Sequence, residues 1–322
     1  MKIGGYFELE FNSKLRENCF KNMAPLNSGR NSLRLLIRTK SLKKIYVPHF
    51  ICSSVLEALE KEDVTMIKYH IDENLEIRQD IYNDDIPILY VNYFGIKDIY
   101  VKHLSSKYPN LIVDNSQALY SKPLNGVSTF YSPRKFLGIP DGGFLAGCKN
   151  IGLEKLEQDV SMHRMSHLLK RIELSPIEGY NDYRLNNLEL GRTDIKRMSK
   201  LTGLMINSIN HNRVVYKRKA NFNSLHNELE SFNSLVISLH ETSVPMVYPF
   251  YIKGQGRALK DYLIKNSIFV ATYWPNIMNE TTIELPEKVF VDDIVSIPID
   301  QRYSEKEMTK IIQLLKIYGS IY

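Results

Sequence analysis

Short apolar runs alternate with amphipathic stretches over the first part of the chain. The pattern predicts strands over 44–47, 64–70, 86–94 and 111–113, and helices over 53–61 and 101–108. This β-α-β alternation is typical of a mostly parallel sheet covered by helices, so we expect an α/β protein. In such sheets, functional groups collect at the carboxyl ends of the strands. Those ends carry Pro48-His49-Phe50, Asn92-Tyr93-Phe94-Gly95 and Asp114-Asn115-Ser116-Gln117.

Two more strands are predicted over 127–131 and 143–147, on either side of a loop rich in proline and glycine over 132–142. The single lysine of this loop is Lys135. A loop between two buried strands is a poor place for a solvated charge. Lys135 is therefore a candidate functional residue.

The rest of the chain divides into a helical part and a second α/β part. The stretch from 151 to 232 is predicted to be mostly helical. Strands or helices resume over 245–252, 257–266 and 268–273. Ser304 and Glu307 have the spacing of a capping box that opens a last helix. We place a domain boundary near residue 235, which gives a large domain over 1–235 and a small domain over 236–322.

The composition is that of an ordinary globular protein, with 322 residues, 43% hydrophobic and 24% charged residues. It excludes disorder as the main state, and the length allows a sizeable core and a cleft. The net charge of +6 is spread along the chain, which disfavours nucleic acid as a partner. The apolar runs are too short to cross a bilayer, and the first residues lack a signal-peptide core. We expect a cytoplasmic protein with no membrane contact.

Several motifs are interpreted as structural. The three cysteines have no C-x-x-C spacing, so we expect buried free thiols and neither a disulfide framework nor a zinc ribbon. His163 and His167 have the spacing of a zinc-ligand pair, but no third ligand is indicated, and no metal is expected. Residues 254–259 resemble a dinucleotide fingerprint without its third glycine, so we predict a loop before a helix.

Lys135, Asp114 and Gly29 together suggest a cofactor. A lysine that forms an imine needs a site that excludes bulk water. If the carbonyl belongs to pyridoxal phosphate, a carboxylate such as Asp114 must keep the ring nitrogen protonated. The phosphate needs backbone N–H groups and a cation, which residues 28–31 offer at the start of a helix over 32–38. The residues alone also allow a second interpretation, in which Lys135 is a surface lysine, Asp114 a turn residue at a strand end and Gly29 the glycine of a helix start.

Several segments resemble the DegT/StrS nucleotide-sugar aminotransferases, which are fold-type-I pyridoxal-phosphate enzymes. Residues 113–118, Val-Asp-Asn-Ser-Gln-Ala, resemble the acidic motif of that family. Residues 129–135, followed by Asp141-Gly142-Gly143, are similar to its segment with the Schiff-base lysine. Four further segments resemble the family: Ser28 to Leu33, Asn92 to Gly95, Arg197-Met198 with the later Lys217-Arg218, and Ser296 to Ile299. The resemblance covers most of the chain and implies a large domain with a mostly parallel sheet and a small α+β carboxyl-terminal domain.

The resemblance also implies roles for individual residues. Lys135 would hold pyridoxal phosphate covalently, Asp114 would pair with its ring nitrogen, and Gln117 would lie beside its phenolic oxygen. The phosphate-binding residues that it implies are Ser28, Gly29 and Arg30. The implied reaction moves an amino group, by family analogy from glutamate, to a nucleotide-linked keto-sugar in surface-polysaccharide or secondary-metabolite sugar biosynthesis. A homodimer is implied too, with the segment 197–218 near the partner's site.

The chain departs from the family pattern at two cofactor positions. Phe130 stands where the family has a phosphate-binding serine, so we assign that role to Ser132. Cys52 stands where an aromatic side chain stacks on the cofactor ring, and Phe50 or His49 is the expected substitute.

A third departure concerns the asparagine that the family donates across the dimer, whose position holds Ile195. Residues 181–184, Asn-Asp-Tyr-Arg, resemble that motif locally but are spaced less well. These departures leave two alternatives open. One is a catalytically weak member that binds cofactor or sugar nucleotide as a regulatory protein. The other is a pyridoxal-phosphate-dependent sugar dehydratase, although such enzymes usually replace the lysine with histidine.

Overall fold

The structure is a computed structural model that describes residues 9–11, 19–78, 85–280 and 285–321. Residues 1–8, for which the sequence predicts no signal peptide, lie outside the described residues. The strands are β1 (Ala24–Leu26), β2 (Lys44–Pro48), β3 (Thr65–Tyr69), β4 (Ile88–Val91), β5 (Leu111–Asp114), β6 (Ser128–Tyr131), β7 (Gly143–Ala146), β8 (Val247–Tyr251) and β9 (Ile294–Pro298). The helices are α1 (Gly29–Lys40), α2 (Ser53–Lys61), α3 (Asp98–Lys107), α4 (Ser166–Glu173), α5 (Pro176–Arg192), α6 (Lys200–Asn207), α7 (His211–Leu229), α8 (Gly256–Lys265), α9 (Lys288–Asp293) and α10 (Glu305–Ile321).

Seven strands form one sheet in the order β1-β7-β6-β5-β4-β2-β3. Strands β3, β2, β4, β5 and β6 run parallel to one another, whereas β7 is antiparallel to both β6 and β1. Every residue of β4 and β5 is buried, because helices cover both faces of a sheet of this kind. The predicted α/β class is confirmed.

Helix α1 begins three residues before the predicted start at residue 32. Its N-cap is Ser28, whose side chain accepts a hydrogen bond from the backbone N–H of Asn31 at 3.1 Å. This bond satisfies one of the N–H groups that every helix start leaves without a partner. The first turn therefore includes Gly29 and Arg30, and it lies beside the end of β6.

The last part of the chain forms a smaller antiparallel sheet of β8 and β9. The strand predicted over 268–273 is reduced to a single bridge between Ala271 and Ser296. The predicted capping box is confirmed, because the backbone N–H of Ser304 donates to Glu307 Oε2 at 2.8 Å and α10 follows. The division at residue 235 stays a prediction. Within the described ranges, no helix is long and apolar enough to span a membrane.

The loop after β6 and the start of α1 meet at one edge of the large sheet. Ser28 bridges Gly142 in parallel register, so the chain before α1 runs beside the chain that enters β7. A Cβ atom at Gly143 would lie 2.2 Å from the carbonyl oxygen of Ser28, which only glycine avoids. This close approach places the loop with Lys135 next to the first turn of α1.

Candidate active site

A cavity of about 300 Å³ opens at the carboxyl ends of β5 and β6. It is lined by predicted site residues from three separate segments: Ser28, Gly29, Arg30, Asp114, Ser132 and Lys135. Parallel strands bring their carboxyl ends to the same edge of a sheet, and this explains why distant segments converge. The structure therefore brings six of the predicted site residues together.

Lys135 ends a short 3-10 helix, Pro133–Lys135, that directly follows β6. Lys135 lines the cavity but is exposed to solvent, which corrects the expectation that its loop shields the charge from water. Among the described residues no hydrogen bond or ion pair holds its ammonium group. The next residue is fixed more firmly. Phe136 is buried, its carbonyl accepts from Gln301 Nε2 at 2.8 Å, and the guanidinium of Arg218 lies 4.4 Å from its ring centre. A free amine is thus carried on a well-held backbone.

Asp114 is the last residue of β5 and is 4% exposed. Its Oδ1 accepts a hydrogen bond from the backbone N–H of Ser116 at 2.8 Å. Burial raises the pKa of the Asp114 carboxyl, and the nearby charge of Lys135 opposes that shift. A buried carboxyl of this kind gains free energy from a cationic partner, such as a protonated ring nitrogen.

Gly29 lets the start of α1 approach the end of β6. A Cβ atom at this position would lie 3.1 Å from Ser132 Cβ and 3.1 Å from the carbonyl oxygen of Tyr131. The helix start thus presents backbone N–H groups and the positive end of the helix dipole to the cavity. Helix α2 begins at the same cavity, because Cys52, Ser54 and Val55 line it.

Two arginines line the cavity. Arg30 donates from Nη2 to Ser54 Oγ at 2.9 Å and pairs with Glu57 Oε2 at 3.0 Å. Arg134 donates from Nη2 to Asn187 Oδ1 at 2.9 Å. The Nε atoms of both arginines are buried without a hydrogen-bond partner in the described part of the chain. Burial lowers the pKa of the Arg134 guanidinium.

Sequence reasoning missed Arg134 and the wall that faces it. The basic pair Arg134-Lys135 in an otherwise apolar loop was the available signal. Helix α5 forms the wall, and its lining residues are Tyr183, Asn187 and Leu190. Tyr183 belongs to the 181–184 motif, which here reaches the cavity of its own chain. The remaining lining residues are Leu33, Ser116 and Phe130.

Three predicted residues, His49, Phe50 and Gln117, do not line the cavity. His49 is buried with its ring stacked on that of His70, so it does not replace the stacking aromatic. Phe50 is 1% exposed, and its ring lies edge-on to Trp274 with ring centres 4.4 Å apart. It therefore belongs to the core, which corrects the expectation that Phe50 substitutes for a stacking aromatic; Cys52 itself lines the cavity. Gln117 is 1% exposed, and its Oε1 accepts from the backbone N–H of Phe94 at 2.7 Å. Its Nε2 has no partner among the described residues.

The motifs interpreted as structural lie away from this cavity. His163 and His167 line a separate cleft of about 380 Å³ along α4 and α5. His163 Nε2 lies 2.7 Å from Glu189 Oε1, and the described residues contain no group that could hold a metal ion. Residues 254–259 form a loop and the start of α8, as predicted. The carboxylate of Asp293 accepts from the backbone N–H groups at 254 and 256, which a bound phosphate would otherwise use.

The cysteines are less buried than predicted. Cys19 is exposed, and Cys52 and Cys148 are partly buried. Cys52 precedes the first residue of α2 and lines the cavity, so its exposure follows from its place at the opening.

Comparison with protein-family models gives no match, and comparison with curated proteins gives none. Solved structures do match. PseC of Helicobacter pylori, an aminotransferase involved in the biosynthesis of pseudoaminic acid, is 14% identical with a TM-score of 0.65, over 95% of this chain and 91% of that chain. A DegT DnrJ EryC1 StrS aminotransferase from Brucella abortus is 13% identical with a TM-score of 0.63, over 95% and 89%.

A third similar structure is the PLP form of Spr1654 from Streptococcus pneumoniae. It is 13% identical with a TM-score of 0.64, over 96% of this chain and 91% of that chain. At these identities the likeness concerns the fold, and it confirms the predicted fold-type-I architecture. The Brucella protein carries the name of the family that the motifs resemble.

Proposed function

We propose that the chain is a pyridoxal-phosphate-dependent aminotransferase of the DegT/StrS type. Its substrate would be a nucleotide-linked keto-sugar and its amino donor glutamate. The observation that carries this proposal is the convergence of Lys135 and Asp114 on one cavity, beside the first turn of α1. The fold shared with aminotransferases such as PseC supports it.

The residues of the cavity fit pyridoxal phosphate. The start of α1 at Gly29 presents backbone N–H groups to the cavity, and Arg30 has a buried nitrogen that lacks an acceptor among the described residues. Asp114 offers a buried carboxylate to the ring nitrogen. When bound, pyridoxal phosphate supplies the electron sink into which electrons move from a substrate C–H bond.

The proposed roles of the protein side chains follow from their positions. Lys135 would hold the cofactor through its Nζ, and once the amino donor has taken its place this amine would accept a proton from the substrate carbon and return it. The hydrogen bond from Gln301 to the carbonyl of Phe136 fixes the backbone next to Lys135. The carboxylate of Asp114 holds a proton on the ring nitrogen, since a buried carboxylate stabilises an adjacent positive charge. Ser132 supplies a hydroxyl at the phosphate.

We also propose a homodimer in the cytoplasm that acts in sugar biosynthesis. Large apolar side chains are exposed along α4 and α5, including Leu169, Ile172, Ile177 and Leu188. Exposed apolar patches of this kind mark protein contacts, and a second copy of the same chain is the commonest partner.

An absorbance spectrum of the purified protein tests the proposed function. After incubation with pyridoxal phosphate and removal of excess, we expect a band near the visible edge that glutamate bleaches. A band that no amino donor bleaches would favour the regulatory alternative. Release of water from the sugar without consumption of glutamate would favour the dehydratase. Absence of bound cofactor after reconstitution would refute the central claim.

A further inference from the structure

We propose that Arg134 and Arg30 form a two-guanidinium site that binds a phosphate monoester in the cavity beside Lys135. The anion site is argued from contacts within this chain. Only the identity of its ligand, the phosphate of pyridoxal phosphate, rests on the proposed function.

Helix α5 sets the spacing of the two guanidinium groups. Asn187 accepts a hydrogen bond from Arg134, and Gly191 lies against Arg30. A Cβ atom at Gly191 would lie 2.6 Å from Arg30 Nη1, so the absence of a side chain makes room for that arginine. Residues four apart in a helix lie on one face, about 6 Å apart along the axis. Both arginines therefore lie against one face of α5 and line the same cavity.

The charges of the cavity are unbalanced. Its lining has three cationic side chains, Arg30, Arg134 and Lys135, and one carboxylate, Asp114. Arg134 has no ion pair within the described ranges, and Arg30 pairs only with Glu57, whose side chain is 52% exposed. A buried guanidinium without an anionic partner is costly. The arrangement thus favours an anion in the space between the arginines.

The charge of Asp141 favours the charged form of Arg134, but the oxygens of this carboxylate are hydrogen-bonded elsewhere and form no ion pair with Arg134 or Arg30 among the described residues. Asp141 is fully buried, and its oxygens accept from the backbone N–H and the hydroxyl of Ser199 at 3.0 Å and 2.9 Å. The hydroxyl of Thr202 also donates to it. The cation nearest to Asp141 is Arg164, at 4.0 Å.

The geometry favours a tetrahedral dianion over a carboxylate. A carboxylate is planar and is satisfied by one guanidinium through two parallel hydrogen bonds. Here two guanidinium groups converge with the start of α1 and the hydroxyl of Ser132. Such donors from several directions match the oxygens of a phosphate. Arg134 would also replace the donor that the hydrophobic side chain of Phe130 cannot supply.

Two aldehydes that differ only in the phosphate test this site. We expect Arg134→Gln and Arg30→Gln each to weaken binding of pyridoxal phosphate by about ten- to a hundredfold, as for a hydrogen bond to a charged group. Binding of pyridoxal, which lacks the phosphate, should change less than about twofold, because neither arginine would contact its ring. Both affinities are measured by absorbance titration. The exposed Arg213, changed to Gln, is the matched control.

A second measurement separates the anion site from the proposed function. Inorganic phosphate at constant ionic strength should raise the melting temperature of the wild type but not that of the double variant. If phosphate stabilises the wild type and pyridoxal phosphate does not bind, the anion site stands and the proposed function fails. Two results would overturn the phosphate assignment. In one, the arginine variants lose equal affinity for pyridoxal and for pyridoxal phosphate. In the other, both affinities are unchanged and glutamate binds more weakly. Arg134→Lys, which keeps the charge, provides the test if Arg134→Gln does not fold.

Discussion

At the residue scale, Lys135 has one property that distinguishes it from other lysines: its amine reaches the cavity without an ionic partner among the described residues. Lys135→Ala should keep the fold, because the side chain is exposed and no hydrogen bond or ion pair among the described residues depends on its amine. The variant should lose the borohydride-reducible link to pyridoxal phosphate, which requires a primary amine. Mass spectrometry of the reduced protein checks this. Lys122→Ala, at an exposed position, is the control, and an adduct on any other lysine would show that the assignment is wrong.

Asp114 is the second residue with a specific prediction. Asp114→Asn keeps the shape of the side chain but removes the negative charge that would hold a proton on the ring nitrogen. We expect the half-reaction with glutamate to slow by orders of magnitude. The variant loses several kcal/mol of charge stabilisation, and each loss of about 1.4 kcal/mol slows the reaction tenfold. Stopped-flow absorbance measures the rate. Asp261→Asn, exposed on α8, should match the wild type, and a wild-type rate for Asp114→Asn would remove Asp114 from the site.

At the scale of elements, the approach of α1 to β6 depends on a missing side chain. Gly29→Ala places a methyl group 3.1 Å from both Ser132 Cβ and the carbonyl oxygen of Tyr131, so the helix must shift away. We expect a loss of about 1–3 kcal/mol in the free energy of unfolding, as for an overpacked site. Gly203→Ala in α6 meets no atom within 4 Å and should stabilise the protein by about 0.4–1 kcal/mol. Urea unfolding compares the two. Equal effects would mean that Gly29 does not limit the approach.

The same elements show what the sequence could and could not predict. Apolar periodicity identified most of the strands of the large sheet, because buried parallel strands are continuous apolar runs. It missed β1, whose three residues form a strand only by pairing with β7, far along the chain. It also missed the wall from α5, since which helix face meets Arg134 depends on long-range packing. Phe50 was misplaced for a related reason: a strand-end position does not reveal whether a side chain points to the core or the cavity.

At the scale of the whole molecule, the ends of β2 and β3 meet the last third of the chain through two histidines. The ring of His49 is stacked on that of His70, with ring centres 4.6 Å apart, and His70 Nδ1 lies 3.0 Å from the buried Glu287. Burial, followed by the charge of His70, lowers the pKa of His49. The unfolded chain therefore takes up this proton more readily than the folded one. Stability is fully present above the ordinary histidine pKa of about 6.5 and falls as the pH drops below it.

We expect urea unfolding at pH 7.5 and 5.5 to give a smaller free energy of unfolding at the lower pH. His49→Gln should reduce that difference, because the group that takes up the proton is gone. Part of the difference should remain, since burial also lowers the pKa of His167. A pH dependence equal to that of the wild type would exclude His49 as its source.

The exposed apolar residues of α4 and α5 lead to a prediction about assembly. Light scattering should give twice the chain mass of 37.4 kDa. Ile172→Asp should shift the protein toward the monomer, because Ile172 is 77% exposed in the single chain and a charge there would be buried in a dimer. Lys102→Asp, at an exposed position of α3, controls for added negative charge. A monomer at all concentrations for the wild type would contradict the proposed assembly.

The groups that hold the carbonyl of Phe136, next to Lys135, are synthesised long after this part of the chain. Gln301, which donates to that carbonyl, is translated 165 residues later, and Arg218 joins it from 82 residues later. Every residue that lines the cavity, by contrast, has been synthesised once Leu190 is made, well before Gln301. The cavity residues thus precede the group that fastens the backbone beside Lys135, so binding of the cofactor and its retention would depend on different parts of the chain.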